Sequence, residues 1–270
     1  MKATVLVIAL CAAATLAAQQ PPAQQQPPAG GGAQGRGEGR GGGAFRGAEP
    51  LDLNERTGFE SIFDGTLKGW DGDSRYWRAE GGSLVGEATE ANKLDENTFI
   101  IWNGEVADFE LKVEFRMSST NSGIQVRSSR VAPGGEGRGA VTGKWVLKGY
   151  QADIDFDNRF TGMIYEERGR GFLMQPGQAV RIARDGSKRV VGNLQRNADE
   201  LKALIKPGDW NHVHLAARGG TLINTVNGQV TGVLIDDDEK GRALKGLLGF
   251  QLHTGPPMKI EFRNIYLRRL

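Results

Sequence analysis

Carboxylate, amide, guanidinium and imidazole side chains alternate with apolar residues along several stretches of this sequence. In Asp108–Met117, Glu110, Lys112, Glu114 and Arg116 alternate with Phe109, Leu111, Val113, Phe115 and Met117. Gly123–Ser128 sets Gln125 and Arg127 against Ile124 and Val126, and Tyr150–Phe156 sets Gln151, Asp153 and Asp155 against Ala152, Ile154 and Phe156. Gln251 and His253 continue the pattern near the C-terminus. Side chains of these types on one surface could move a proton and stabilise an oxyanion, with histidine the group most easily poised near neutral pH. The competing reading is that Glu114–Arg116 and Arg127–Asp153 are cross-strand ion pairs on a solvated face.

Three other groups could hold a metal or turn the chain. His212 and His214 lie two apart on one strand face, but no third ligand is near them in sequence, which favours packing histidines. Asp153-Ile-Asp155-Phe-Asp157-Asn158 has the acidic spacing of a calcium loop without its sixth-position glycine, so a metal at a strand end is the form such a site would take. Asp236–Glu239 is a solvated acidic turn.

Strict period two buries one face of a sheet. Besides the stretches above, strands are expected at Trp210–Ala217, Thr221–Val226, Val230–Ile235, Gly246–His253 and Lys259–Leu267. Asn227-Gly228 supplies a two-residue hairpin turn. No stretch has a long helical period. The fold class expected is all-β, a sandwich of two antiparallel sheets. Residues 129–148 read as a Gly-rich loop and 157–180 as a long excursion.

The chain has 270 residues and a net charge of +2. No basic face is sustained, so nucleic acid is not an expected partner. Met-Lys followed by the apolar run Ala3–Ala18 has the form of a secretory signal peptide with cleavage after Ala18, and is short for a membrane span. An uncleaved anchor is the alternative. The single cysteine, Cys11, lies in this run, so the mature chain would have no thiol or disulfide. Residues 19–54 are Gln-, Pro- and Gly-rich, with little to bury, and are expected to be a disordered linker. The folded domain is then 55–270, periplasmic or secreted, with no stable membrane span in its mature form.

An ordered set of phrases resembles the 3-keto-disaccharide hydrolase family, formerly a domain of unknown function. They are Gly58–Gly65 with Gly69-Trp70, Trp77–Gly82 with Leu84, Asp108–Leu111, Glu114–Arg116, Asn121–Arg127, Gly149–Gln151, Thr161-Gly162 with Tyr165, Trp210-Asn211, Gly249–His253 and Phe262–Ile265. The resemblance implies a concanavalin A-like jelly roll acting on carbohydrate whose C3 hydroxyl has been oxidised to a ketone. Two positions depart from the family's pattern: Gln151 and Asp153 stand where it often has Glu and Gln, and Asn224 where it often has histidine.

The implied reaction removes the acidified C2 proton, expels the C1 substituent by β-elimination and adds water to the enone, a net glycoside hydrolysis. It needs a base, a group at the C3 oxygen and an acid for the leaving oxygen. The candidate catalytic residues are Asp153 or Glu114 as base, Arg127 as enolate stabiliser and His253 as acid or base. A divalent metal could polarise the ketone, with Asp153 and His253 as ligands; no other cofactor is implied. Candidate substrate contacts are Gln125, Gln151, Asn224, Gln251, Tyr165 and Trp145, with Trp102 a further ring that could stack on a sugar or fill the core. A non-catalytic carbohydrate-binding module on the same scaffold is the alternative function.

Overall fold

A computed structural model describes residues 48–134, 140–194 and 198–270. The expected leader, most of the expected linker and part of the 129–148 loop lie outside these residues. A compact unit spans Pro50–Leu270. Its strands are β1 (Glu60–Ser61), β2 (Trp70–Asp71), β3 (Trp77–Glu80), β4 (Ser83–Ala88), β5 (Thr98–Val106) and β6 (Phe109–Met117). There follow β7 (Asn121–Arg130), β8 (Leu147–Asp155), β9 (Ile164–Glu167), β10 (Gly171–Met174), β11 (Gln178–Ile182) and β12 (Lys188–Asn193). After the short helix α1 (Ala198–Ala203) come β13 (Asn211–Arg218), β14 (Thr221–Val226), β15 (Gln229–Asp236), β16 (Gly246–Leu252) and β17 (Met258–Arg269).

The strands form two sheets packed as a jelly-roll sandwich. The ten-stranded sheet runs β12-β11-β15-β14-β13-β6-β17-β4-β3, with β1 beside β17, and the seven-stranded sheet runs β10-β9-β8-β7-β16-β5-β2. Pairing is antiparallel except between β11 and β15. Phe109, Leu111, Val113, Phe115 and Met117 all face the core, as their alternation requires. Phe250 of one sheet stacks on Phe262 of the other with centroids 4.1 Å apart, and Trp70 packs on Phe250 at 5.5 Å.

The excursion expected at 157–180 contains β9 and β10 and the start of β11. These strands are short, and β12 beside them is exposed along its whole length, so neither shows a long alternation. The sheets are also tied by a buried charged cluster. Arg170 bonds Glu166 at 2.7 Å and Asp236 at 2.7 Å, and Tyr150 donates its hydroxyl to Asp236. The acidic turn at Asp236–Glu239 is therefore not uniformly solvated, since Asp236 is fully buried in this cluster.

The outer face of β6 is also covered. Lys112 donates to the Glu55 carbonyl at 2.7 Å and lies over the Phe59 ring, so the segment before β1 packs across what the alternation suggested was a solvated face.

Candidate active site

On β8, Ala152 and Ile154 turn into the sandwich, which sends Gln151, Asp153 and Asp155 to the outer face of the seven-stranded sheet. The same alternation brings out Tyr165 and Glu167 from β9, Asn121 from β7 and Gln251 from β16. These side chains line a cavity of about 540 Å³, with Asn97, Thr120, His253 and Thr254 at one end and Phe160, Met163 and Phe172 also in its wall.

A directed series of hydrogen bonds fixes the amides at its floor. Ser128 donates to Gln125 Oε1, Gln125 Nε2 donates to Gln151 Oε1 at 3.0 Å, and Gln151 Nε2 donates to Asp153 Oδ1 at 2.7 Å. Gln151 Nε2 also lies 3.4 Å from Gln251 Oε1. The order of donors leaves Gln251 Nε2 as the last donor of the series, a buried atom near the Glu167 carboxyl with no partner at hydrogen-bond distance and angle. Gly123, opposite Asp153 in the ladder, makes room for this arrangement: a Cβ there would lie 2.4 Å from Gln151 Cγ and Cδ.

Asp153 has the electrostatics of a base for neutral pH. Burial raises its pKa, opposed by the Gln151 amide, and the Glu167 and Asp155 carboxylates push it further, to about 7. Burial also raises Glu167, against the lowering influence of Arg168 and of the nearby Gln251 amide. Two carboxyl groups in one pocket, both biased toward their protonated forms, can divide acid and base roles between them. The His253 ring meets the Thr254 carbonyl through Nδ1. With the proton on that nitrogen, Nε2 is left as an acceptor.

Five of the expected site residues do not line this cavity. Glu114 belongs to the ten-stranded sheet, where Arg263 and Asn264 bind it at 2.8 and 2.9 Å. Burial pushes its pKa up, but Asn264 and Arg263 outweigh that and hold it below the usual value. Arg127 sits at a bulge in β7 with φ 50°, which turns its guanidinium away from Gln125. It is buried against the Ala107 and Gly219 carbonyls at 2.7 and 2.6 Å and Asp108 at 3.0 Å. Asn224 is buried on the core side of β14 between Leu222 and Val226. Trp145 packs on Phe99, Ile101 and Leu147 and donates to Asp71 at 2.7 Å.

Gln125 is also fully buried, holding Gln151 from beneath rather than lining the cavity. Trp102 packs against the main core. The expected pairs Glu114–Arg116 and Arg127–Asp153 do not form; Arg116 binds Glu261 and Arg127 binds Asp108. Of the candidates, Asp153, His253, Gln151, Gln251 and Tyr165 come together.

Glu167 escaped the sequence reading although Tyr165 did not. Both lie on one strand two residues apart, so period two applied to Tyr165 would have included it. Asn121 stood in a phrase noted for its resemblance, but without a role.

The residues do not make a complete metal site. Asp153 and His253 share the cavity, but Asp153 Oδ1 is engaged by Gln151, and among the described residues no three His, Cys, Asp or Glu side chains converge. His214 binds Glu110 at 2.9 Å on the other sheet, and His212 is buried beside it. Also among the described residues, no helix is long and apolar enough to cross a membrane.

The 3-keto-alpha-glucoside-1,2-lyase-like domain matches residues 58–268. The chain belongs to this family. A comparison with curated proteins gives no match. Among solved structures, a protein of Parabacteroides distasonis provisionally named a glycosyl hydrolase aligns with TM-score 0.50 and 18% identity, covering 78% of this chain and 99% of its own. A second structure from the same organism, of the same provisional name, gives 0.50 and 18% over 79% of this chain and 94% of its own. The carbohydrate-binding module CBM66 of Bacillus subtilis aligns at TM-score 0.46 and 13% identity, over 74% and 95%. At these identities the likeness is one of fold.

Proposed function

We propose that this member of the 3-keto-alpha-glucoside-1,2-lyase-like family cleaves 3-keto-glycosides, with Asp153 as the base. The observation that carries the reading is a buried carboxyl in a sugar-sized pocket with its pKa at about 7, where a carboxylate is both available and basic at neutral pH. Asp153 takes the C2 proton of the keto-sugar. The C2–H electron pair moves toward the C3 carbonyl, and the developing enolate oxygen accepts from Gln251 Nε2, the donor without a partner. As the C1–O bond breaks, a double bond forms between C1 and C2 and the leaving oxygen takes a proton from the Glu167 carboxyl, which burial biases toward its protonated form. Water then adds its hydroxyl to C1 and gives its proton back to the acid, while Asp153 returns its proton to C2, completing a net hydrolysis.

The amide-rich floor supports a second reading, a non-catalytic carbohydrate-binding module, because Asn97, Asn121, Gln151 and Gln251 are side chains that hold sugar hydroxyls. Export on the Ala3–Ala18 leader, to the periplasm or medium, belongs to the same proposal; sequencing the N-terminus of the mature protein tests it.

Activity on a 3-keto-α-glucoside separates the two readings. Turnover by the wild type, reduced at least a hundredfold in Asp153→Asn, is the expected result. Glucoside binding without turnover of any 3-keto-glycoside would leave only the binding module. Turnover that survives Asp153→Asn would remove Asp153 as base.

A further inference from the structure

The register of the seven-stranded sheet divides the pocket into two kinds of surface. One row crosses it from the edge inward: Phe172 lies opposite Tyr165, Tyr165 opposite Gln151, and Gln151 opposite Gln125. With about 4.8 Å between strands, Phe172 on β10 lies about 10 Å from the β8 strand that carries Asp153. Amides and acid–base groups therefore occupy the middle of the sheet, and aromatic rings its edge.

The rings form a contiguous wall. Phe172 meets Tyr165 edge-on at 5.3 Å and Phe160 at 6.1 Å. Phe172 is nevertheless 52% exposed, so it is not there to complete a core. The charged groups beside this wall, Arg159 and Asp157, are solvent-exposed. Arg159 approaches Asp157 at 3.4 Å and Asp155 at 3.5 Å, and its guanidinium lies over the Phe160 ring at 5.4 Å. A cavity of about 540 Å³ has room for more than one hexose ring. What lies next to the keto-sugar on this side meets mostly ring faces and edges.

We propose that the pocket selects 3-keto-glycosides whose leaving group is an apolar aromatic ring, seated on Phe172, Tyr165 and Phe160. The inference rests on the proposed roles of Asp153 as the base at C2 and of Glu167, on β9, as the acid at the leaving oxygen, which together place the sugar over β8 and its C1 substituent toward β9 and β10. An aromatic ring packs edge-on or offset against such a wall. A second sugar would have to lay hydroxyls against a surface that is mostly ring carbon.

The test measures binding of phenyl α-glucoside, methyl α-glucoside and maltose, none of which carries the ketone, to the wild type, Phe172→Ala and Phe172→Tyr. It then measures kcat/KM on the corresponding 3-keto compounds. The expected result is that the phenyl glucoside binds about tenfold tighter than the methyl glucoside, and that Phe172→Ala reduces this ratio to about two while Phe172→Tyr keeps it. The ratio of variant to wild-type kcat/KM should fall for the phenyl substrate only, a comparison that cancels the better leaving ability of phenol. Equal binding of phenyl and methyl glucosides overturns the inference, as does maltose binding that is tightest and lost in Phe172→Ala. A phenyl preference with no turnover of any 3-keto-α-glucoside instead overturns the cleavage reading, and with it the ring's role as leaving group.

Discussion

Gln151 donates to Asp153 Oδ1 at 2.7 Å from two residues away on the same strand face. Its own carbonyl is held by Gln125, so the amide cannot turn over without breaking that bond. The donor stabilises the carboxylate form of Asp153 against burial and against the charges of Glu167 and Asp155. Gln151→Leu removes the donor, and the Asp153 pKa should rise further, by about one unit. The acid limb of kcat/KM against pH then moves to higher pH by the same amount. An unmoved limb would mean that another group sets it.

Gly123 has no side chain because Gln151 occupies that space. In Gly123→Ala the new Cβ falls 2.4 Å from Gln151 Cγ and Cδ, and the flexible amide is what must give way. Stability should drop by only about 1 kcal/mol, because the Gly123 backbone is not in the left-handed region. Activity should drop about tenfold or more, as Asp153 and Gln251 both lose their oriented neighbour. Thermal unfolding and kcat/KM measured on the same sample separate the two effects. Loss of fold in proportion to loss of activity would argue against a positioning role for Gly123.

The strands that build this arrangement were the legible part of the sequence. Long alternations such as Phe109–Met117 declare a buried face because nothing else produces that period. The same pattern named Gln151, Asp153 and Gln251 but could not say which sheet each strand joins, and Glu114 went to the other sheet through pairing set by distant β13 and β17. Arg127 was unreadable for a different reason. A bulge changes the side on which the following residue emerges, and no residue type in Gly123–Ser128 announces one. Asn224 shares its strand face with Leu222 and Val226, so period two itself places it inward, and only its polar type suggested a substrate contact.

The burial of Arg127 makes a prediction of its own. Its guanidinium satisfies the Ala107 and Gly219 carbonyls and Asp108, so Arg127→Met leaves those acceptors without a donor. Asp108 is partly exposed and can turn to water, which limits the cost to about 2–4 kcal/mol. The folded fraction should keep kcat/KM within about threefold, and Glu114→Gln should behave likewise with a smaller stability change. A stable Arg127→Met protein without activity would return this residue to the chemistry.

Chelator should leave activity unchanged, since among the described residues no three His, Cys, Asp or Glu side chains are placed to hold one ion. Dialysis against a chelator, followed by assay with and without added divalent cations, checks this. Loss of activity restored by one cation would mean that amides or substrate oxygens complete a site that these side chains alone do not.

Asp153 and His212 should pull stability in opposite directions with pH. Asp153 titrates near 4 when unfolded and about 7 when folded, so between these values the folded protein holds the extra proton and stability falls as pH rises. Asp153→Asn should therefore gain about 2–4 kcal/mol at pH 8 and nothing at pH 4. His212 is the reverse. Burial, then the positive charges of Arg56, His214 and Lys112, lower its pKa to about 4 despite Glu114. The unfolded chain takes up that proton first, so stability falls as pH drops from about 6.5 to 4. Both ring nitrogens of His212 lack partners, and His212→Phe should be close to neutral at pH 7 while removing about 1–3 kcal/mol of acid lability. Urea unfolding at pH 4.5, 6, 7 and 8 measures both slopes. If Asp153→Asn gave the same stability change at every pH, the carboxyl would be titrating normally in the folded protein, and its assignment as a neutral-pH base would lose its physical ground.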